Sequence, residues 1–258
     1  MLESASLSPM TPPRGALRSV LVAGLATTLV ACSPMLPDTP RPGPSPAAPG
    51  RPEAPLVGGL IDRPIGDGTR SAVLRESAEL TRCVAELTAA RVDFSPTPDQ
   101  VDGEGCQQIQ AGLLGADMGT VARMNPGQPK MTCRLALAVS VWRRQSLEPA
   151  AREILGSDVV QIDHFGAYAC RNVNNGAGST RISAHAQAAA LDVAGVRLRD
   201  GRRISLTEDW HGDGPEARFL RRIRDDACRI FGTVLSPDYN AVHHDHLHLE
   251  ATDTRFCR

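Results

Sequence analysis

Lysine is almost absent from this 258-residue sequence: among 28 basic residues, Lys130 alone is not arginine. We read that bias as a genome-composition signature that carries no function. Net charge is missing as well. Twenty-eight Lys+Arg against 29 Asp+Glu leave −1, which argues against a nucleic-acid partner held by bulk electrostatics. No glycine motif that cradles phosphate is present, so no nucleotide is expected. No Cys-x-x-Cys occurs, and the long cysteine spacings disfavour a zinc cluster built from them. The apolar run Val20 to Ala31 falls short of the roughly 20 residues that a membrane-spanning helix needs.

Proline and cysteine are the residues present in excess. Thirteen of the 20 prolines fall within the first 64 residues, so the chain has a non-globular front. Ahead of it, Arg14 and Arg18 precede the apolar run, the pattern of a secretory signal. The junction Leu29-Val30-Ala31-Cys32 has the form of a bacterial lipobox, in which Cys32 is lipidated and becomes the new amino terminus. An ordinary cleaved signal with Cys32 incidental is the plainer alternative. These features divide the chain into a lipoprotein-type signal peptide (1–31), a lipid-anchored Pro-rich linker (32–68) and a folded domain (69–258). The linker has little to bury and, if extended, reaches on the order of 100 Å. The expected location is therefore the periplasmic cell envelope, with a membrane anchor, on our reading in the outer membrane. Setting Cys32 aside leaves Cys83, Cys106, Cys133, Cys170, Cys228 and Cys257, an even set that predicts three disulfides of undetermined pairing.

Within the domain, Val73, Leu80, Val84 and Leu87 predict one amphipathic helix over Ser71–Ala90. A second helix is expected over Met131–Arg144, then a shorter one over Ala150–Leu155 that Gly156 ends. Val159–Arg171 reads as a strand, followed by a polar loop over Asn172–Ser179. Asp200-Gly201 between Ala190–Arg199 and Arg203–Leu206 signals a hairpin. Phe219, Leu220, Ile223, Ala227, Ile230 and Phe231 mark a helix ending at Gly232, and His246–Glu250 a final strand. The fold class predicted is α+β: a small, mostly antiparallel sheet flanked by helices and stapled by disulfides.

Four of the seven histidines crowd one window: His243, His244, His246 and His248. A solvated turn or a chance run would account for them without function. Histidines two apart on a strand, however, share a face and suit a metal or a proton-transfer pair. Upstream, His185 and Asp192 lead into the hairpin. If that segment folds back on the histidine strand, His185, Asp192 and His248 supply three ligands to Zn²⁺ and leave a fourth position open, as catalytic zinc sites do. His164 and His211 read as ordinary histidines, and Asp209 and Trp210 as turn and packing residues. Ser183 reads as a local hydrogen-bonding residue, with no Gly-x-Ser-x-Gly turn around it. Cys170 has no Cys/His pattern to make it a nucleophile.

The stretch Cys83–Arg258 resembles the bacterial extensin-like C-terminal domain family. The resemblance rests on Tyr168-Ala169-Cys170-Arg171, Ser183-x-His185, Ala190-Leu191-Asp192-Val193, Asp209-Trp210, Phe219-Leu220, Ala227-Cys228, Pro237-Asp238-Tyr239-Asn240, His243-x-x-His246-x-His248 and the closing Cys257-Arg258. That family is in turn distantly similar to zinc peptidases that cut peptidoglycan stem peptides, the D-Ala-D-Ala carboxypeptidases and murein endopeptidases. The similarity implies a zinc peptidase-like fold, a zinc cofactor on His185, Asp192 and His248, and peptidoglycan peptides as partners. It also implies His246 as the residue beside the catalytic water, His243 as a group that tunes it, and Arg171 as a candidate for stabilising an oxyanion or holding a carboxylate. Two positions depart from the pattern. Ala188 stands where the peptidases usually have Gly, and Ala184 where the extensin-like pattern usually has Glu. The competing readings are a non-catalytic wall-binding lipoprotein that keeps the zinc scaffold, and a metal-scavenging lipoprotein.

Overall fold

Thr132 closes a short strand and opens a helix: its hydroxyl accepts from the Leu135 amide, capping a segment whose residues are apolar nearly all round. In the computed structural model, which describes residues 59–103, 105–176 and 179–258, that helix is buried on every side except at Arg134. Such a helix belongs in the middle of a core. It packs on two preceding helices, α1 (Thr69–Glu76) and α2 (Leu80–Ala89), and on a three-stranded sheet. That sheet has the order β1-β4-β6, from β1 (Val92–Pro96), β4 (Ala111–Asp117) and β6 (Lys130–Thr132). Between β1 and β4 sits a two-stranded ribbon of β2 (Gln100–Gly103) and β3 (Cys106–Gln108). The buried helix, α3, spans Cys133–Trp142.

The expected pair of helices over 131–155 is one continuous helical run. From α3 it passes through a π turn (Arg143–Leu147), α4 (Glu148–Ala150) and a second π turn (Ala151–Leu155). Pro149 lacks an amide proton and its ring crowds the carbonyl four residues back, so a regular α-helix cannot run through it. The wider π turns on both sides give that ring room. Gly156, at φ 67°, ends the run as expected. The run also carries the polar heart of the core. Arg143 and Arg144 both pair with the fully buried Asp117 at the end of β4, and Arg144 continues to Asp62 at 2.8 Å.

Seven strands form the second sheet, in the order β12-β10-β11-β8-β7-β5 with β9 paired to β8. Its members are β5 (Arg123–Asn125), β7 (Val159–Gly166), β8 (Ala190–Leu198), β9 (Arg203–Ser205), β10 (Thr233–Leu235), β11 (Leu247–Glu250) and β12 (Phe256–Cys257). The sheet is mostly antiparallel, as expected, but larger than expected, and the outer pairs β10/β12 and β5/β7 run parallel. The hairpin about Asp200-Gly201 is in place. Gly195 lets β9 lie against β8, since a methyl there would meet the Ile204 carbonyl oxygen at 2.3 Å. Between β9 and β10 come α5 (Leu206–Asp209) and α6 (Pro215–Ala227). The fold is α+β.

Several boundaries differ from the sequence reading. The helix over 71–90 is two helices, because the Ser77 hydroxyl bonds the Val73 carbonyl and competes with the next helical turn. Met131 lies in β6 rather than in the helix. β7 ends at Gly166, and α6 ends at Ala227 rather than at Gly232. Leu60 and Ile61, assigned to the linker, are buried in the core, so the folded part starts ahead of Thr69. The signal segment, Cys32 and the linker to residue 58 lie outside the described residues.

Three disulfides staple the domain. Cys83–Cys133 joins α2 to α3, Cys106–Cys170 joins β3 to the segment after β7, and Cys228–Cys257 joins the end of α6 to β12. Their loops of 50, 64 and 29 residues are each long enough to restrict the unfolded chain by about 4 kcal/mol.

Candidate metal centre

Strand alternation puts the key side chains on one face. Leu191 and Val193 of β8, with Leu247 and Leu249 of β11, point into the core. Asp192 and His248 therefore point out of the opposite face, and the register pairs them directly across the two strands. His185 arrives on a 3-10 turn, Ala184–Gln187, whose start is fixed by Ser183, with its hydroxyl accepting from the His185 amide at 3.3 Å. Ser183 thus has the local role read from sequence. The turn leaves through Ala188 at φ 52°, a left-handed conformation that glycine adopts more readily than an L-residue.

Three donor atoms converge there. His185 Nε2 lies 3.0 Å from Asp192 Oδ2 and 3.2 Å from His248 Nδ1, and His248 Nδ1 lies 2.7 Å from Asp192 Oδ1. Tetrahedral zinc with bonds of about 2.0–2.1 Å spaces its donors about 3.3 Å apart. With Asp192 turning one oxygen to each histidine, these separations are slightly shorter than that, and each of the three residues has a donor within reach of a shared ion. The outward nitrogens are held as they are in metal sites. His185 Nδ1–H donates to the Ala167 carbonyl at 3.2 Å, and His248 Nε2–H donates to Glu250 at 2.9 Å. Glu250 escaped the sequence reading, although it continues the same alternation two residues beyond His248.

The electrostatics of the cluster follow from this packing. Burial would raise the Asp192 carboxyl, but hydrogen bonds from His185 and His248 hold it well below the usual carboxylate range. Burial would lower His248, yet its bonds to Asp192 and Glu250 push it up to about 9. Without a cation, His248 is an imidazolium between two carboxylates. A metal ion bound there would take the place of its Nδ1 proton. Glu250, which burial would raise, is held low by His248.

His246 and His243 border the triangle. His246 Nδ1–H donates to Asp245 at 2.7 Å, and its Nε2 faces Asp192 Oδ1 at 3.5 Å. His243 Nδ1–H donates to Asn240 Oδ1 at 2.7 Å. Burial, then the neighbouring His246 and His248, push His243 down to about 4, so it is neutral at ordinary pH. Two overlapping groups have donors close enough for a metal: His185, Asp192 and His248, and His243, His246 and His248. Arg171 reaches to 4.0 Å from Asp192 Oδ2. Arg171, Asp192, His243, Asp245, His246 and His248 line a cleft of about 710 Å³, walled further by Phe165, Arg181, Tyr239, Val242 and Phe256.

The remaining assignments also find places. His164 is buried, with its Nε2 2.8 Å from the Pro126 carbonyl oxygen, and His211 is exposed. Trp210 is buried and donates to Asp238, while Asp209 accepts from the Ser205 amide. Cys170 is bonded to Cys106.

Asn240 and Tyr239 entered the sequence reading only within the Pro237–Asn240 motif, and Asp245, Arg181, Phe165 and Phe256 were given no site role there. Their roles depend on turn geometry, for which no spacing rule exists. Among the described residues no helix is long and apolar enough to cross a membrane. Residues 81–258 match a family described as Extensin-like protein C-terminus. No curated protein and no solved structure matches the chain.

Proposed function

The chain belongs to the extensin-like protein C-terminus family, and on that footing we propose that it is a zinc-dependent peptidase of the cell envelope, hydrolysing peptide bonds in peptidoglycan stem peptides or cross-links. One observation carries the reading. His185 Nε2 and His248 Nδ1 lie 3.2 Å apart and each faces one oxygen of Asp192, at 3.0 and 2.7 Å, beside a cleft that also holds His243 and His246. When bound there, zinc supplies polarisation of a carbonyl and a water made nucleophilic near neutral pH.

The chain's own groups supply the rest. Asp245 holds the Nδ1 proton of His246, which leaves Nε2 as a base facing the cluster. That nitrogen takes the proton of the attacking water and passes it to the leaving amine. His243 stays neutral and packs beside His246, with ring centroids 5.1 Å apart, fixing its position. The Arg171 guanidinium, on the cleft wall, complements a developing oxyanion or a substrate carboxylate. Phe165 sets its ring edge-on to His246 at 5.8 Å and keeps one side of the base dry.

The substrate class rests on the resemblance of Ser183-x-His185-x₆-Asp192 and His243-x-x-His246-x-His248 to peptidoglycan peptidases. Export through the signal segment and lipidation of Cys32 would hold the enzyme at the wall. The test incubates the zinc-loaded full-length chain with muropeptides and follows products by mass spectrometry. Loss of a terminal residue or conversion of cross-linked dimers to monomers is expected. His246→Ala should slow turnover by about 10²–10⁴-fold, and Asp192→Ala should also remove the bound zinc. Stoichiometric zinc without cleavage would favour the wall-binding reading, and absence of zinc would sink both.

A further inference from the structure

We infer that Arg181, beside Arg171, holds the free α-carboxylate of the amino acid that leaves as the amine, so that the cleft trims single residues from peptides with a free carboxyl terminus; the inference rests on the peptidase reading above. Two short segments form a ribbon on the cleft wall. Asn172 bridges Ile182, the Val173 amide donates to the Arg181 carbonyl at 2.8 Å, and the Ser183 amide donates to the Arg171 carbonyl at 3.2 Å. Alternation puts the side chains of Arg171, Val173, Arg181 and Ser183 on one face, and all four residues line the cleft. The ribbon is fastened at both ends. Cys170, just before Arg171, is bonded to Cys106, and Ser183 fixes the start of the His185 turn.

Charge decides what this face can take. Several surface guanidiniums are already neutralised: Arg152 by Asp158 at 2.7 Å, Arg202 by Asp200 at 2.8 Å and Arg222 by Asp226 at 3.0 Å. Among the described residues that line the cleft, Arg171 and Arg181 are the only Arg or Lys, and neither is so engaged. The acids of the cleft are taken by histidines: Asp245 by His246, Glu250 by His248, and Asp192 by His185 and His248. Arg171 comes only to 4.0 Å from Asp192, and among the described residues no carboxylate pairs with the exposed Arg181. Arg171 thus stands at the donor cluster, where the oxyanion of an attacked carbonyl develops. Arg181 is its diagonal neighbour on the ribbon, about 7–8 Å away and within reach of a long side chain. The α-carboxylate of a leaving residue lies about 3.3–3.6 Å, one residue, beyond the scissile carbonyl, a span that two guanidiniums can bracket. The guanidinium fork matches a carboxylate bidentately. A main-chain peptide bond has such a carboxylate beside it only at the chain end. The hydroxyl of water joins the acyl carbon as the C–N bond breaks, its proton passes to the leaving amine, and Arg181 releases a free amino acid.

The test measures binding apart from turnover. Calorimetry on the zinc-loaded full-length chain with His246→Ala, which turns substrate over too slowly to interfere, compares two stem peptides that differ only in a free or an amidated carboxyl terminus. The free acid should bind about 10–100-fold more tightly, as one charged hydrogen-bonded pair implies. Adding Arg181→Gln should erase that preference, Arg181→Lys should keep part of it, and raised salt should narrow it. Near-UV circular dichroism should show the same fold in all three chains, since the Arg181 side chain is exposed. Equal binding of the two peptides, binding of neither, or a preference that survives Arg181→Gln overturns the carboxylate site. In the wild type, removal of a terminal residue from the free acid and not from the amide is expected. Cleavage of both at equal kcat/KM overturns the site and leaves the peptidase reading standing. A binding preference that needs Arg181, with cleavage of neither peptide, keeps the carboxylate site and removes the peptidase reading.

Discussion

Ala188, next to the donor cluster, sits in the left-handed region at φ 52°. Its left-handed backbone costs an L-residue roughly 1–2 kcal/mol. Glycine would relieve that, but it would lose the buried methyl, worth about 0.8 kcal/mol, and add roughly 0.4–1 kcal/mol of unfolded-state entropy. The terms nearly cancel, so Ala188→Gly should leave the denaturation midpoint almost unchanged. Ala188→Val, β-branched at positive φ in a closed site, should lose about 3 kcal/mol. Chemical denaturation of the two variants distinguishes these outcomes. Asp163 offers a pH test. Burial would raise its carboxyl, but donors on Asn125 and Gln161 at 2.7 Å, with Arg197 and Arg203 beyond, hold it below its usual value. A depressed carboxylate stabilises the fold above its unfolded pKa of about 3.9, and that contribution fades as pH falls through the lower folded value. Asp163→Asn should therefore destabilise by on the order of 1 kcal/mol at neutral pH, and the gap from wild type should close below about pH 4. A gap that persists unchanged in acid would refute the charge account. At this scale much of the site was legible. His248 could be picked out because strand alternation ties residue number to face, and His185 and Asp192 because their His-x₆-Asp spacing precedes a later His-x-His. Asn240 and Asp245 could not, because their contacts follow from one particular turn.

Among the elements, Cys228–Cys257 matters most to the cleft. It fastens a two-residue edge strand, β12, whose Phe256 forms part of the wall. Cys228→Ser with Cys257→Ser should lose about 3 kcal/mol in thermal or chemical denaturation and raise hydrogen exchange in β10 and β12 ahead of the remaining sheet. Uniform exchange across the sheet would show that β12 does not depend on the bridge. Elements with strong local signals were readable: the Asp200-Gly201 hairpin, the apolar stripe of α6, the stop at Gly156. Two kinds were not. Apart from the seven-residue β4, strands β1 to β6 have only three to five residues, β2 to β4 carry glycine or glutamine, and register shifts interrupt the β1/β4 and β2/β3 pairs, so no alternation lasts long enough to detect. The helical run across Pro149 contradicts the local rule and survives because the core around α3 fixes both ends.

For the whole molecule, the sequence reading separates a proposed anchor, a Pro-rich spacer and a folded domain, and the described residues belong almost entirely to the last of these. If Cys32 carries lipid, Cys32→Ser should move the protein from the membrane fraction to the soluble periplasmic fraction on cell fractionation, with turnover on soluble muropeptides unchanged. Retention in the membrane fraction would rule out the lipid anchor. The α+β class followed from the mixture of helical and alternating segments. The disulfide pairing did not, because six cysteines admit 15 partitions and only the packing of α2 on α3, and of β3 near the Cys170 segment, selects one.

That pairing has a consequence for how the protein is made. In order of appearance the cysteines join first to third, second to fourth, and fifth to sixth. A chain entering an oxidising space amino end first presents Cys83 and Cys106 together before Cys133 has arrived. The earliest encounter is thus a wrong one, and oxidation in order of arrival would seal it. If Cys83 and Cys106 do pair in that order, the native bridges are reached only by exchange between thiolate and disulfide, and an exported chain would then draw on an isomerase as well as an oxidant.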